Sequence, residues 1–149
     1  MQYFEDFPAG RRLDMGPFHV KAEDTIRFAR QFDPQPFHLD EEAGKKSLFG
    51  GLSASGWHTA AIGMRMIFDG FLKDTASQGS PGIPKLRWTK PVRPGDALRL
   101  QGVVAASKAS ASKPDRGFVT IDYEMRDEAG ELKLQMTATH LLRRREAAQ

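Results

Sequence analysis

Two kinds of hydrophobic spacing divide the chain near its middle. In the helical segments between Glu23 and about Gly82 the apolar residues recur every three or four positions, which is typical of helices, and afterwards they alternate with polar residues, which is typical of strands. The alternating stretches are separated by the turn sequences RPGD, KPDRG and DEAG. The stretches themselves are LRWT, DALRLQGVVAAS, GFVTIDYEMRDE and ELKLQMTATHLL. We therefore predict four strands in an antiparallel meander, with a further strand around Arg12 to Lys21 completing the sheet.

One long helix dominates the first half of the chain. Its main apolar stripe has helical spacing and consists of Trp57, Ala60, Ala61, Met64, Ile67, Phe68 and Phe71. Other apolar side chains, such as Ile62 and Met66, lie off this stripe, so we expect a helix of roughly 15 residues that is buried on several sides. Residues with N-cap chemistry precede it, namely Ser53, Ser55 and Gly56.

Two shorter helices are predicted before the long one. The stretch EDTIRFARQF, residues 23–32, should form a helix that ends before Pro34, because a residue preceding proline is displaced from helical angles. Asp33 should then lie on a turn. A second helix is expected from Asp40 to about Gly44. A long helix and an antiparallel sheet that must cover it predict an α+β architecture in which the sheet curls round the helix.

Length and composition limit the classes of protein. A chain of 149 residues with 40% hydrophobic residues favours a single globular domain over 1–149. There is no cysteine, and no basic segment followed by an apolar one at the start, so we expect a cytoplasmic protein without a membrane anchor. The charged residues behind the net charge of +3 are scattered along the chain, which argues against nucleic-acid binding. We interpret residues 143–149, which begin with three arginines, as a flexible basic tail.

The stretch FDPQPFHLD holds the strongest candidate chemistry. Asp33 and His38 lie five residues apart with two prolines between them, which restrict the backbone and allow both side chains to converge on one water. On spacing alone, a turn aspartate and a half-buried histidine explain the pair equally well. His19, His58 and His140 have no partner at metal-ligand spacing, so we interpret them as structural and expect no metal site.

Four motifs occur in order along the chain: Asp33-Pro34-Gln35-Pro36-Phe37-His38, Phe49-Gly50-Gly51, Ser55-Gly56-Trp57 and KPVRPGD. With these motifs the sequence resembles the MaoC-like dehydratase family, specifically the (R)-specific enoyl-CoA hydratases, over roughly Met1 to Leu142. The resemblance implies a hotdog fold, in which an antiparallel sheet wraps a long central helix. It also implies that Asp33 and His38 form a catalytic dyad.

The resemblance assigns further roles. A backbone N–H at the start of a helix points outward with the positive end of the helix dipole behind it, and by resemblance the N–H of Gly56 receives the thioester oxyanion. The residues expected to contact the substrate are Gln35, Phe37, Ser55, Trp57 and Arg87. Gln35 stands where the family usually has asparagine. Met64 stands where some members have a serine that holds the aspartate, so we expect Asp33 to lack that support.

The resemblance implies reversible hydration of a trans-2-enoyl-CoA thioester without a metal or redox cofactor. Two alternatives stay open: a hotdog acyl-CoA thioesterase, and a non-catalytic module that binds acyl-CoA or an acyl carrier. We expect at least a homodimer, because a five-stranded sheet leaves an open edge and the family joins two sheets edge to edge. Four basic residues are expected to meet the coenzyme A phosphates: Lys85, Arg87, Lys90 and Arg93.

Overall fold

The computed structural model describes residues 1–146 and contains three helices and five strands. The helices are α1 (Ala22–Phe32), α2 (Glu41–Lys45) and α3 (Gly56–Gly70). The strands are β1 (Arg12–His19), β2 (Gly82–Trp88), β3 (Ala97–Ala109), β4 (Arg116–Arg126) and β5 (Leu132–Arg143). All the predicted helices and strands are present, with boundaries that differ by a few residues. Within the described part of the chain, no helix is long and apolar enough to cross a lipid bilayer.

The five strands form one antiparallel sheet in the order β1-β3-β4-β5-β2. The meander prediction is right for β3, β4 and β5 but wrong for β2, which pairs with β5 at one edge instead of with β3. The connection PVRPGD carries the chain from β2 to β3 across the sheet. Strand alternation predicts that a segment pairs but does not identify its neighbour, which explains the error. The α+β hotdog architecture itself is confirmed.

Helix α3 packs against the sheet with only part of the stripe that its sequence favoured, because Ile67 and Phe71 are buried but other members are not. Its buried residues are Thr59, Ile62, Gly63, Met66 and Ile67. Trp57, Met64 and Phe68 are instead 61%, 45% and 45% exposed. Gly63, also buried, lies against β4, where a Cβ on it would make an ordinary contact of 3.5 Å with the Cε of Met125. The opposite side of α3 is thus an apolar surface that this chain leaves uncovered.

The start of β5 is tied to the KPVRPGD turn by a buried lysine. The Lys133 Nζ donates to the carbonyl of Pro91 at 2.9 Å and lies 3.5 Å from carboxylate oxygens of Asp96 and Asp127. The carboxylates of Asp96, Asp127 and Glu128 converge closely, and the ammonium supplies positive charge there. Burial would lower the pKa of Lys133, but the hydrogen bond to Glu131 and the two aspartates outweigh it and raise that pKa.

Replacing this lysine is expected to destabilise the fold strongly. Lys133→Met should lower the free energy of unfolding by about 3–5 kcal/mol, because it leaves carboxylates partly buried beside an unpaired carbonyl. Urea unfolding at neutral pH would measure the change. Lys108→Met, on an exposed position of β3, is the matched control and should change stability by less than about 0.5 kcal/mol. Equal stabilities for the two variants would contradict the structural role of Lys133.

The prediction of a flexible tail from residue 143 is wrong for its first residues. Arg143 is the last residue of β5, and its backbone N–H donates to the carbonyl of Ala76. The side chain of Arg145 pairs with Asp6 at 2.7 Å, and its backbone N–H donates to Glu5. The register of β5 with β4 extends this far because the alternation of β5 continues to Leu142. Residues 147–149 lie outside the described residues.

Candidate active site

Asp33 occupies the C-cap position of α1, where the chain turns towards the two prolines. Its carboxylate is held from both sides. The hydroxyl of Ser55 donates to Oδ2 at 2.7 Å, and the side-chain amide of Gln35 donates to Oδ1 at 2.7 Å. The expectation that Asp33 lacks support because residue 64 is a methionine is therefore wrong. Ser55, at the N-cap of α3, supplies the hydroxyl instead, and the longer arm of Gln35 reaches the carboxylate.

These contacts keep Asp33 ionised. Burial would raise the pKa of Asp33, but the hydrogen bonds from Ser55 and Gln35 and the neighbouring His38 outweigh burial and lower that pKa below its usual range. The side chain retains 18% exposure. A carboxylate that accepts two hydrogen bonds in this way is an ionised proton acceptor at neutral pH.

His38 lies at the end of a short 3₁₀ turn, Pro36–His38, and is buried. Its Nδ1 is 2.7 Å from the backbone carbonyl of Ser53. Because a carbonyl only accepts, Nδ1 carries a proton, and in the neutral ring the lone pair is then on Nε2. That Nε2 lies 3.5 Å from Oδ2 of Asp33. Two proton acceptors therefore face each other, and one water between them can donate a hydrogen bond to each.

The Phe49-Gly50-Gly51 motif contributes an aromatic ring that packs near His38. The ring of Phe49 lies 5.0 Å from that of Phe37 and 5.9 Å from that of His38. The guanidinium of Arg93 donates to the carbonyl of Phe49. A side chain on Gly51 would displace that guanidinium, since a Cβ there would lie 2.7 Å from it. Arg93 therefore holds this loop in place, which differs from the phosphate contact expected of it.

Gly56 begins α3 beside the same cavity as His38. This cavity has a volume of about 260 Å³ and is lined by His38, Phe49, Ala54, Gly56, Thr59, Trp88, Thr89, Lys90, Pro91 and Val92. The N–H of Gly56 has no hydrogen-bond acceptor within residues 1–146. The ring of Trp88 lies against the glycine, and a Cβ there would come within 2.5 Å of it. Glycine is thus required for this close approach, and its N–H is free to meet a ligand.

The predicted substrate contacts separate into groups. Ser55 is completely buried and Gln35 contacts Asp33, so both position the carboxylate. Phe37 packs on His38 outside the cavity wall. Arg87 is exposed and lines neither this cavity nor the second one, because it alternates with Leu86 and Trp88 along β2. Of the four basic residues expected near coenzyme A phosphates, Lys90 lines the cavity that contains His38.

Two contributors were not identified from the sequence. Ser53 acts through its backbone carbonyl, which every residue type possesses, so no sequence pattern could mark it. Trp88 comes from β2, more than thirty residues after Gly56, and only the pairing of β2 with β5 brings it to the helix start. An aromatic residue at the end of a strand is common, so its type carried no specific signal.

The hydrogen bond from Ser55 gives a prediction for the pH dependence of activity. In Ser55→Ala the pKa of Asp33 should rise, since a bond that lowers it is lost, and the acidic limb of the kcat/KM profile should move to higher pH. Gln35→Ala should shift the limb in the same direction. Because Ser55 is also the N-cap of α3, Ser55→Ala should in addition lower the free energy of unfolding by about 1 kcal/mol. Ser112→Ala, an exposed-loop control, should leave the profile unchanged. An unshifted limb in both variants would contradict this role of Asp33.

A second cavity, of about 480 Å³, lies between α3 and the sheet. Trp57 is on its wall and packs edge-on against Trp88 with ring centroids 5.3 Å apart, so the tryptophan pair lies between the two cavities. Trp57 is thus placed at this cavity and not beside His38. The remaining wall is formed by Ala60, Ala61, Met64, Ile67, Leu72, Ser77, Gly79, Ser80, Ile83, Leu86, Met136, Ala138 and His140.

The buried His140 predicts a loss of stability in acid. Burial lowers the pKa of His140 to about 4, from about 6.5 when unfolded. Between these values the unfolded chain binds the extra proton, so stability is full above about pH 6.5 and falls by about 3 kcal/mol as the pH drops to about 4. Urea unfolding across this range should show a smaller fall for His140→Phe than for the parent chain. Parallel curves for the two proteins would contradict the assignment.

Comparison with known proteins places the chain in a family. The profile of the MaoC like domain matches residues 6–126. The chain is 37% identical over 118 residues to the uncharacterized protein YdeM of Bacillus subtilis, covering 78% of this chain and 82% of that protein. It is also similar to the crystal structure of the MaoC-like dehydratase from Rhodospirillum rubrum, with a TM-score of 0.90 and 44% identity, covering 99% of this chain and all of that one.

A more distant match shows the fold alone. The R-hydratase PhaJ1 of Pseudomonas aeruginosa, in its unliganded form, superposes with a TM-score of 0.73 at 21% identity, covering 99% of this chain and 92% of that chain. The match of the domain profile to most of the chain, together with the 44% identity to the Rhodospirillum rubrum protein, is decisive for membership. The chain belongs to the MaoC-like domain family.

Proposed function

We propose that the protein is a hydro-lyase that reversibly adds water to a trans-2-enoyl-CoA thioester to form a 3-hydroxyacyl-CoA. The observation that carries the proposal is the facing pair of acceptors, Nε2 of His38 and Oδ2 of Asp33, 3.5 Å apart. They lie beside the cavity at which α3 begins with the free N–H of Gly56. The reaction requires a base that takes a proton from water and a hydrogen-bond donor that stabilises the oxyanion. Family membership adds independent support.

The geometry supports a specific course for the reaction. A water held between Asp33 and His38 loses a proton to the pair while its oxygen bonds to C3 of the enoyl group. The π electrons of the C2–C3 bond move towards the thioester, so that negative charge develops on its oxygen. The proton held by the pair then goes to C2, and the electron pair returns from the enolate. One water is consumed and no oxidant, reductant or metal takes part.

The start of α3 suits the developing negative charge. The N–H of Gly56 belongs to a helix of 15 residues, whose dipole places partial positive charge at this end. Trp88 covers the glycine and excludes water from one side. In such a site a single donor is worth about 3–4 kcal/mol in the transition state. Lys90, on the wall of the same cavity, is suited to a phosphate of coenzyme A.

The second cavity is suited to the acyl chain. It is lined mainly by apolar side chains and lies beyond the Trp57–Trp88 pair from the His38 cavity. Trp57 and Met64 on its wall are also part of the uncovered side of α3, together with Phe68. We propose that a second copy of the chain covers this surface, because Trp57 and Met64 of α3 and Ile83 of β2, all exposed, line one cavity. The functional unit would then be a homodimer.

Two assays on the same sample test the proposal. Purified protein is incubated with crotonyl-CoA or trans-2-octenoyl-CoA, while loss of the conjugated enoyl absorbance and release of free thiol are followed in parallel. Absorbance loss without thiol is the expected result. Thiol release would identify a thioesterase instead. Saturable binding without either signal would identify an acyl-CoA binding module and overturn the proposal, and the 3-hydroxy product should be verified by mass spectrometry.

A further inference from the structure

One side chain in the second cavity differs from the rest of its wall. Most lining residues are apolar, and the hydroxyls of Ser77 and Ser80 already form hydrogen bonds within their own loop. His140 is only 5% exposed and is part of the cavity wall. Its Nε2 lies 2.7 Å from the hydroxyl of Tyr123. Its Nδ1 has no hydrogen-bond partner within residues 1–146 and is not among their fully buried unpaired atoms, so it is accessible from the cavity.

The partner of Nε2 determines which nitrogen carries the proton. Burial raises the pKa of Tyr123, so its hydroxyl keeps its proton. Within residues 1–146 that hydroxyl has no hydrogen-bond partner except Nε2 of His140, so we assign it as the donor, because the opposite direction would leave its hydrogen buried and unpaired. His140 is neutral near pH 7, because burial also lowers its pKa, to about 4. A neutral imidazole with an accepting Nε2 carries its hydrogen on Nδ1. The cavity therefore contains an unpaired N–H donor on an otherwise apolar wall.

The Nδ1 donor of His140 lies far from the proposed site of hydration. Trp88, which touches Gly56, pairs with Leu134 on β5, and Leu86 pairs with Met136. His140 is six residues beyond Leu134 on the same face of β5, a distance of about 20 Å along the strand. The ring of His140 also lies 5.9 Å from that of Phe71, the C-cap residue that follows α3. A chain that extends along α3 from Gly56 would reach His140 only with its distal part.

We propose that His140, oriented by Tyr123, selects acyl chains that carry a hydrogen-bond acceptor oxygen, such as a ketone, far from the thioester. The inference rests on the proposed function for the location of the thioester. A purely hydrocarbon chain would fill the cavity but leave the N–H buried without an acceptor, which is costly. A site built around a buried polar group discriminates against ligands that cannot pair with it. The ligand oxygen would accept the hydrogen from Nδ1.

Binding of saturated thioesters tests the inference without requiring turnover. Acyl-CoAs from decanoyl to hexadecanoyl are compared with analogues that carry a ketone on the penultimate carbon, below their micelle concentrations. Both tryptophans of the chain, Trp57 and Trp88, lie at the cavities, so intrinsic fluorescence reports binding. At the length that reaches His140, the ketone is expected to tighten binding by about tenfold over the unsubstituted chain. Equal affinities at every length, or no binding of either series, would overturn the inference.

Variants distinguish the donor from a general effect of shape. His140→Phe keeps a ring of similar volume and should lose the preference for the ketone while still binding the unsubstituted chain. Tyr123→Phe releases Nε2 and should weaken the preference. His19→Phe, on an exposed position of β1, is the matched control and should retain it. A preference that survives in His140→Phe would overturn the inference.

Nuclear magnetic resonance supplies a measurement that needs no variant. In ¹⁵N-histidine-labelled protein, His140 is expected to show the Nδ1–H tautomer, and its Nδ1 shift should move when the ketone analogue binds but not with the plain chain. An Nε2–H tautomer would overturn the inference. If this preference holds while crotonyl-CoA and octenoyl-CoA are not hydrated, the proposed reaction fails and the binding specificity stands. If hydration occurs without the preference for the ketone, the proposed reaction stands and the inference about His140 fails.

Discussion

Asp33→Asn and His38→Ala should each lower kcat/KM for hydration of crotonyl-CoA by about 10²–10⁴-fold. The amide of asparagine is neutral and cannot take a proton from water, and alanine removes the Nε2 acceptor that faces Oδ2 at 3.5 Å. The expected loss is mainly in kcat, because both groups act on the water and not on the coenzyme. Continuous measurement of the enoyl absorbance at saturating substrate separates kcat from KM.

The same substitutions elsewhere in the chain serve as controls. Asp74→Asn lies at an exposed position shortly after α3, and His19→Ala lies on an exposed position of β1. Both should keep kcat within about twofold and the melting temperature within a few degrees of the parent. The double variant of Asp33 and His38 should be little worse than either single one, since the two groups act on one water. Near-normal turnover in either single variant would exclude this pair as the catalytic base.

A second large effect is expected at the first residue of α3. Gly56→Pro removes the backbone N–H, and proline is well tolerated at the first position of a helix. Ser55, which precedes it, already has φ −52 and ψ 142, as a residue before proline requires. Loss of this donor should lower kcat by about 10²–10³-fold while substrate still binds. Stopped-flow or steady-state assays with octenoyl-CoA would measure the change.

Gly56→Ala is the matched control for the steric part of that effect. Any Cβ at residue 56 comes within 2.5 Å of the Trp88 ring, so alanine and proline both displace the tryptophan. Only proline lacks the N–H. The ratio of kcat between the two variants therefore isolates the donor. Identical kcat values would show that the N–H of Gly56 does not contact the transition state, and that the glycine is needed only for packing against Trp88.

The helices and strands could be predicted because each depends on local spacing. Asp40 caps α2 by accepting from Ala43, as its residue type predicted, and β3, β4 and β5 alternate as their sequences do. The neighbour of β2 could not be predicted, because period-two alternation is the same for any partner. The expected burial of α3 on several sides is confirmed only in part, since Met64 is 45% exposed. Both of its sides are apolar, and only the position of the sheet decides between Ile62 and Met64.

The candidate site was predicted in its members but not in its contacts. Asp33 and His38 lie close together because two prolines and a 3₁₀ turn restrict five residues, which is a local effect. The support of Asp33 is different. Ser55 reaches it across 22 positions of sequence, and its hydroxyl both caps α3 and donates to the carboxylate. The residue types around Ser55 predicted only its N-cap role, because capping is a local interaction. They do not show that the carboxylate of Asp33 lies nearby.

By itself, the sequence determined the elements and the α+β class and predicted that Asp33 and His38 lie close together, since these follow from spacing, capping and proline stiffness within short segments. Only the tertiary structure decided which hydroxyl holds Asp33, which nitrogen of His38 is free, and that Trp88 covers Gly56. It also decided that Tyr123 leaves Nδ1 of His140 unpaired beside an apolar cavity. These features depend on strand neighbours and directional hydrogen bonds between distant segments, which hydrophobic periodicity does not encode.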